Sequence, residues 1–173
     1  MSRDKILLES LNVIKENGLE NFSMRKLAEV LKIKPASIYH YFKSKEEILN
    51  AIYIHGVDLL IESENMDAKD FEEYFLIHIK NLLENKIWFR FVFRYREAAF
   101  LTDETKVMAK KYQKVQQETF NKMLEEKSYF KKTEENRFII EGTILQLMYA
   151  NRKISDKQLK IVIRKLLAAI KEE

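Results

Sequence analysis

Apolar residues recur every three or four positions along nearly the whole chain, and no segment alternates apolar and polar residues as a strand would. Near the start, Leu7, Leu11 and Ile14 fall on one face of a helix predicted over residues 3–16. Gly18 follows, and glycine readily takes the left-handed conformation that ends a helix. The pattern therefore predicts helices from the beginning of the chain.

Two short helices separated by a tight turn are predicted next. Ser23 is a suitable N-cap for a helix over residues 24–31. Pro35, the single proline of the chain, stands where a third helix would begin, and proline at the first helical position loses no intrahelical hydrogen bond. The third helix is expected to end near Tyr41 or Phe42. Two short helices joined in this way form a helix-turn-helix arrangement.

Six more helices are predicted beyond this head. A capping box opens the long fourth helix: Ser44, Lys45, Glu46 and Glu47. Five further helices are expected over residues 67–86, 88–100, 103–126, 134–152 and 158–171, the last three after the N-caps Thr102, Thr133 and Ser155. We therefore expect an all-α fold of about nine helices, with a three-helix helix-turn-helix domain over residues 1–46 and a helical-bundle body over residues 47–173.

The composition supports a packed helical protein. Of 173 residues, 46% are hydrophobic and 34% charged, which supplies enough apolar side chain for a core. Three glycines and one proline leave few residues for turns. There is no cysteine, which excludes disulfides, and neither an apolar leader nor an apolar run of the roughly 18 residues that a membrane span needs. We expect a soluble cytoplasmic protein.

Positive charge is concentrated around the two short helices. The net charge of the chain is +4, yet residues 23–45 hold six basic residues and one acidic residue, a local balance of +5 that leaves −1 for the rest. The basic residues are Arg25, Lys26, Lys32, Lys34, Lys43 and Lys45. Such a patch is typical of a surface that meets phosphate groups, and a solvated lysine-rich surface has the same composition.

The side chains of this region suit DNA. Arg25 and Lys45 stand near the starts of the second and fourth helices, where backbone N–H groups favour phosphate. Small residues at the start of the third helix allow it to enter the major groove, and the aromatic residues after them offer hydrogen-bond donors. The expected reading surface is Pro35, Ala36, Ser37, Tyr39, His40 and Tyr41. Singly, the two tyrosines are equally explained as packing residues and His40 as a surface histidine; their combination in a basic window favours DNA.

A short set of residues carries a family resemblance. Leu27-Ala28, Ile38-Tyr39, and Phe42 followed by Lys45 form a pattern that resembles the head of the tetracycline-repressor (TetR) family of transcription regulators, over about residues 3–55. The resemblance implies DNA contacts from Ser23, Met24, Arg25, Lys34, Pro35, Ala36, Ser37, Tyr39, His40, Tyr41 and Lys45. Two residues depart from it: Lys32 occupies a turn position where glycine is usual, and Tyr41 one where histidine is frequent.

The last two helices are predicted to pair two copies of the chain. One head buries too little DNA for useful specificity, so two-fold pairing on half-sites about one helical turn apart is expected. The candidate dimer residues are Ile139, Gly142, Thr143, Gln146, Ala150, Leu166, Ala169 and Ile170. The alternative is that these residues pack only within their own chain. The resemblance implies the same two helices, which form a four-helix bundle across the dimer in that family.

Aromatic residues are most frequent in the middle of the chain. At helical spacing most of them belong to a core, but the helix predicted over residues 88–100 carries aromatics on more than one face, so some can line a cavity or an interface. The resemblance implies a small-molecule effector that shifts the heads between two spacings. The candidate effector-binding residues are Phe75, His78, Trp88, Phe91, Arg94, Tyr95, Tyr112 and Phe120, and their aromatic character suits an aromatic or lipophilic molecule.

Three hypotheses for function remain. The first is a dimeric repressor that binds a palindromic operator and is released by a small-molecule effector. The second is a DNA-binding protein whose body engages a protein partner and has no small-molecule pocket. The third, a helical-bundle enzyme, is disfavoured because no glycine-rich phosphate loop or paired nucleophile and base is present. No cofactor, metal ion or membrane is expected: His55, Asp58 and Glu62 share a helix face, but they lack the cysteine or second histidine that favours a specific metal.

Overall fold

The computed structural model of the protein describes residues 1–64, 68–126, 134–150 and 153–170. These residues form nine α-helices and no strand, which confirms the predicted all-α fold. The helices are α1 (Arg3–Asn17), α2 (Met24–Leu31), α3 (Pro35–Tyr39), α4 (Lys45–Glu64), α5 (Phe71–Glu84), α6 (Lys86–Arg94), α7 (Asp103–Glu126), α8 (Glu134–Tyr149) and α9 (Asp156–Ile170). Among the helices of these ranges, none combines the length and the apolar character needed to cross a membrane. The predicted N-cap Thr133 lies outside the described residues.

The first three helices pack around a shared apolar core. Leu27 of α2, Ile38 of α3 and Phe42 just after α3 have no exposed surface. The hydroxyl of Ser23 caps α2, and Pro35 occupies the first turn of α3, as their sequence positions predict. The apolar faces of these helices are therefore turned inward, and the starts of α2 and α3 remain accessible to solvent.

The turn between α2 and α3 passes through Lys32, whose φ of 54° lies in the left-handed region. Its backbone N–H donates to the carbonyl of Glu29 at 3.2 Å, and the N–H of Ile33 donates to the carbonyl of Ala28 at 3.0 Å. These two bonds close α2 in the way that helices commonly end. The lysine therefore adopts the backbone conformation for which glycine is the usual residue.

Replacing Lys32 with glycine is expected to stabilise the protein. A residue with a Cβ atom loses about 1 kcal/mol in the left-handed conformation, and glycine avoids that cost. The free energy of unfolding, measured by chemical denaturation, should rise by up to about 1 kcal/mol. Lys32→Ala is the matched control, because it removes the same charge and keeps the Cβ. Equal stabilisation by both variants would contradict the conformational explanation.

The capping box predicted at the start of α4 forms only in part, whereas the predicted N-cap of α9, Ser155, belongs to a full capping box. At the start of α9, Ser155 and Gln158 cap each other reciprocally, with backbone-to-side-chain distances of 3.0 Å and 3.3 Å. At the start of α4, the hydroxyl of Ser44 accepts from the N–H of Glu47 at 3.1 Å. The Glu47 carboxylate, however, accepts from the N–H of Lys43 at 2.6 Å. In the α4 box, the glutamate therefore accepts from the residue before the N-cap instead of from the N-cap itself. It still satisfies a backbone N–H that has no partner within the helix.

α5 and α6 depart most from their predicted bounds. α5 begins at Phe71 rather than at residue 67, because the Asp70 side chain caps it by accepting from the N–H of Glu73 at 2.9 Å. α6 ends at Arg94 rather than at residue 100, and the chain then turns, with the N–H of Leu101 donating to the carbonyl of Ala98 at 3.1 Å. Neither glycine nor proline marks this end in the sequence. The helix predicted from the spacing of the aromatic residues is therefore longer than the helix in the structure.

The chain divides into two compact units. The first contains Met1–Asp58 and Ile87–Lys110, and the second contains Leu59–Lys86 and Lys111–Glu173. The first unit thus extends beyond the head predicted over residues 1–46, because the start of α4, most of α6 and the start of α7 group with it. Within that unit Gly56 permits close packing, since a Cβ there would lie 2.6 Å from the side chain of Val92.

Asn50 is the polar centre of the first unit, and it is only 7% exposed. Its Nδ2 donates to the carbonyls of Glu46 and Phe100, both at 2.9 Å. Its Oδ1 accepts from the backbone N–H of Thr102 at 2.9 Å and from the hydroxyl of Thr105 at 2.7 Å. The amide therefore uses both donors and both acceptor positions, and it joins α4 to the segment that leads into α7.

In the second unit the core lies between α5, α8 and α9. The buried side chains are Tyr74, Phe75, Ile79, Ile140, Leu159, Ile163, Leu166 and Ile170. At the surface, two ion pairs join α5 to α9: Lys80 with Asp156 at 2.6 Å, and Glu72 with Arg164 at 3.0 Å. Exposed ion pairs contribute little to the free energy of folding, so the apolar contacts are the main source of stability in this unit.

Candidate functional site

The starts of α2 and α3 present most of the residues predicted to contact DNA. The exposed ones are Ser23, Arg25, Lys34, Pro35, Ala36, Ser37, Tyr39 and His40. Tyr39 exposes 51% of its surface, whereas the head's phenylalanines, Phe22 and Phe42, expose 2% and 0%. An exposed tyrosine beside small residues and basic side chains suits both the phosphate backbone and base edges.

Arg25 is the most accessible basic side chain at the start of α2. Its side chain is 87% exposed, and its Nε lies 3.3 Å from a carboxylate oxygen of Glu29. An exposed pair one helical turn apart contributes about 0.5 kcal/mol or less, so a phosphate or a guanine edge competes with it readily.

Three of the predicted contacts have other roles in the fold. Met24 is 8% exposed, so as the first residue of α2 it offers its backbone N–H rather than its thioether. The hydroxyl of Tyr41 donates to the carbonyl of Met1 at 2.7 Å. The ammonium group of Lys45 donates to the carbonyl of Leu19 at 2.9 Å. Tyr41 and Lys45 thus brace the head, and a phosphate contact from either would replace an existing hydrogen bond.

The residues predicted for an effector site fall into two groups. Trp88, Phe91, Arg94 and Tyr95 belong to the first unit, and Phe75, His78 and Tyr112 to the second. In the first group the rings of Phe91 and Tyr95 lie 4.8 Å apart, and the exposed Arg94 lies 5.7 Å from the centre of the Tyr95 ring. The side chain of Phe120 lies outside the described residues. Neither unit holds the whole predicted set.

A buried polar cluster in the second unit joins two residues of the predicted effector set, His78 and Tyr112, to three residues that were not predicted as site residues. It consists of Ser63, Glu64, Tyr74, His78 and Tyr112, and we call it the Glu64 cluster. The hydroxyl of Tyr74 donates to Oε2 of Glu64 at 2.6 Å, and the ring of Tyr74 stacks on that of His78 at 5.5 Å. Nδ1 of His78 lies 3.4 Å from the hydroxyl of Ser63 and 3.7 Å from Oε1 of Glu64.

Burial perturbs every titrating group of the Glu64 cluster. Burial raises the pKa of Glu64 to about 7, against the opposing effect of the hydrogen bond from Tyr74. Burial also lowers the pKa of His78 to about 4. The pKa values of Tyr74 and Tyr112 are raised, first by burial and then by the negative charge of Glu64. At neutral pH the cluster therefore holds a neutral imidazole beside a carboxyl group close to its titration midpoint.

A sequence signal for this cluster exists. Tyr53, Val57, Leu60 and Glu64 follow one another at intervals of four, three and four residues, and all four are buried. Glu64 is thus an acidic residue at a position of α4 where the spacing predicts a buried apolar residue. An acidic residue in a core position is rare unless it is paired, and it marks a candidate functional site.

The residues predicted for dimer contact differ in their exposure. Leu166 and Ile170 are 4% and 3% exposed, because they pack into the core of their own chain. Both side chains therefore belong to the core of their own chain, which is the alternative to dimer contact. On α8 an exposed apolar stripe remains, and its large members are Phe138 (74%), Ile139 (40%), Leu145 (40%) and Tyr149 (51%), with Ile161 (47%) exposed on α9. A Cβ on Gly142, in the middle of this stripe, would meet nothing within 4 Å.

The exposure of the other predicted interface residues fits the same surface. Gln146 and Ala169 are exposed, while Thr143 and Ala150 are half-buried. The exposed apolar face of α8 is therefore centred on Gly142. It also contains Phe138, which was not among the predicted interface residues.

The three residues considered for a metal site do not converge. His55 is half-buried with its ring 4.3 Å from that of Trp88, and Asp58 and Glu62 are exposed. Across the described ranges, no group of three or more histidine, aspartate or glutamate side chains could hold a metal ion.

Comparisons with known proteins agree with the geometry of the head. Residues 6–52 match a family model described as "Bacterial regulatory proteins, tetR family". The HTH-type transcriptional regulator UidR of Escherichia coli strain K12 is 30% identical, over 36% of this chain and 40% of its own length. The chain thus aligns with less than half of the curated relatives that it matches. The family and these relatives are described as regulators, so the enzyme hypothesis finds no support among them.

Solved structures resemble the chain over almost its whole length. The TetR family transcriptional regulator PfmR from Thermus thermophilus has a TM-score of 0.77 at 22% identity, covering 98% of this chain and 95% of its own. The ketosteroid transcriptional regulator KstR2 of Mycobacterium tuberculosis has a TM-score of 0.74 at 18% identity, covering 99% and 95%. At these identities the likeness establishes the fold, and it leaves ligands and partners open.

Proposed function

The head of this chain belongs to the tetR family of bacterial regulatory proteins, and on that premise we propose that the chain represses transcription as a homodimer on a palindromic operator. The observation that carries the DNA-binding part is the exposed start of α3, where Tyr39 is 51% exposed beside small residues in a basic window. Release by a small-molecule effector completes the proposal.

DNA binding is tested by selecting bound fragments from random sequence and measuring affinity for the product. We expect a palindrome, because two heads related by a two-fold axis read inverted half-sites. Arg25→Ala and Tyr39→Ala should each weaken binding about tenfold, since each removes a contact to a phosphate or a base edge. Lys157→Ala is the control, because it removes an exposed positive charge from α9. Unchanged affinity in both head variants, with folding intact, would refute the proposed contacts.

Dimerisation is proposed through the exposed apolar stripe of α8 and the neighbouring part of α9. Large apolar side chains around a glycine allow a second helix to approach closely, and water is excluded on pairing. The wild type should be a dimer at micromolar concentration, and Ile139→Asp combined with Leu145→Asp should give a monomer by light scattering.

The matched control for the dimer test is Val107→Asp, because Val107 is 64% exposed on α7. It places the same charge on an apolar surface elsewhere and should leave the dimer intact. A monomeric wild type would favour the second hypothesis instead, in which the apolar stripe engages a different protein.

A further inference from the structure

Glu64 is an anomaly in the second unit. Its side chain has no exposed surface, and its Oε1 accepts no hydrogen bond from any residue that the structure describes. Only Oε2 is satisfied, by the hydroxyl of Tyr74 at 2.6 Å. Buried carboxylates are normally paired and fully hydrogen-bonded, because an isolated charge in a protein interior is costly. A group with one oxygen left open is therefore placed to receive a partner.

The protein does not supply a cation to this carboxylate from the part of the chain that is described. No lysine or arginine of those ranges forms an ion pair with Glu64, and the nearest basic group is His78, 3.7 Å from Oε1. Burial lowers the pKa of His78 to about 4, so its ring is neutral at neutral pH. A cation that pairs with the ionised form of Glu64 would therefore come from outside those residues.

The surroundings of Glu64 select among possible partners. The ring of Tyr74 stacks on His78, and Tyr112 is close enough for the charge of Glu64 to raise its pKa. Aromatic faces beside a carboxylate attract an ammonium or similar organic cation. A metal ion is a poorer fit, because the described residues offer no group of three ligands and hard cations need several oxygen atoms.

We propose that the Glu64 cluster binds the positively charged group of an organic cation, with Oε1 of Glu64 as its counter-ion and the rings of Tyr74 and Tyr112 against its apolar part. The proposal rests on the proposed function, because the cation would be the effector. The gap of 3.7 Å between Oε1 and His78 is too narrow for an interposed atom. The His78 ring must therefore turn away when the cation enters, and the site opens on binding.

The test uses benzyltrimethylammonium and its uncharged isostere neopentylbenzene, which share shape and differ in charge. Calorimetric titration is performed with the wild type, Glu64→Gln and Glu62→Gln. Glu62 is the matched control because it is an exposed acid two residues away on α4. We expect the wild type and Glu62→Gln to bind the cation about tenfold or more tightly than the isostere. Glu64→Gln should lose that preference.

Equal binding of the two probes by the wild type, or an unchanged preference in Glu64→Gln, would overturn the cation site. Affinity for the selected operator is measured on the same samples without a probe. Normal operator binding together with no cation preference removes the cation site and leaves the proposed function standing. Absent operator binding defeats the proposed function, while the comparison of the two probes still decides whether Glu64 recognises a cation.

Discussion

Glu64→Gln is expected to stabilise the protein by about 3 kcal/mol at pH 8 and by less than about 1 kcal/mol at pH 5. Burial raises the pKa of Glu64 from 4.5 to about 7 in the folded state. The folded protein therefore holds this proton more tightly than the unfolded chain, and the wild type loses stability as the pH rises from 4.5 through 7. Glutamine remains neutral and avoids this loss, while its oxygen still accepts from Tyr74.

The measurement is the free energy of unfolding in denaturant for both proteins across this pH range. His78 titrates in the opposite sense, because burial lowers its pKa to about 4 and stability falls as the pH drops from 6.5. This effect is common to both proteins and cancels in their difference. The exposed acid Glu62, changed to Gln, should alter stability little at either pH. A difference between wild type and Glu64→Gln that does not grow with pH would exclude a raised pKa at Glu64.

The helices of the head could be predicted closely because each has a local signal at its end. The capping side chain of Ser23 and the fixed ring of Pro35 act within one turn of the helices that they start, so sequence order alone locates them. The segment that follows α6 is held by a tertiary contact instead: the carbonyl of Phe100 accepts a hydrogen bond from the side chain of Asn50, fifty residues earlier. No sequence window around α6 contains that information.

The candidate sites show the same limit at the level of side chains. Exposure of Tyr39 follows from its place beside the buried Ile38 on a short helix, and it could be predicted. Periodicity gives Leu166 and Ile170 an apolar face but does not say whether that face meets its own chain or another. Glu64 was not predicted as a site residue because it stands close to Glu62, and closely spaced acidic residues are typical of a surface. Its position on α4 nevertheless places it in the core.

Asn50→Leu is expected to cost about 2 kcal/mol of unfolding free energy, because it leaves two partly buried backbone groups without their hydrogen-bond partners. These are the N–H of Thr102 and the carbonyl of Phe100, each 2.9 Å from the Asn50 amide. Leucine fills a similar volume, so the loss reflects hydrogen bonding rather than a cavity. The hydroxyl of Thr105 keeps a partner, since Oγ1 of Thr102 lies 2.9 Å away.

Two further variants separate the network from its individual bonds. Thr105→Val removes one hydroxyl from the same network at nearly constant shape, and it should cost about 1 kcal/mol. Asn21→Leu changes an exposed asparagine whose side chain donates a hydrogen bond to the carbonyl of Asn17. This substitution should leave the free energy of unfolding almost unchanged. Denaturant unfolding of the three proteins gives the ranking. If Asn50→Leu costs no more than Thr105→Val, the backbone groups find other partners, and Asn50 is not what fixes the segment before α7 to α4.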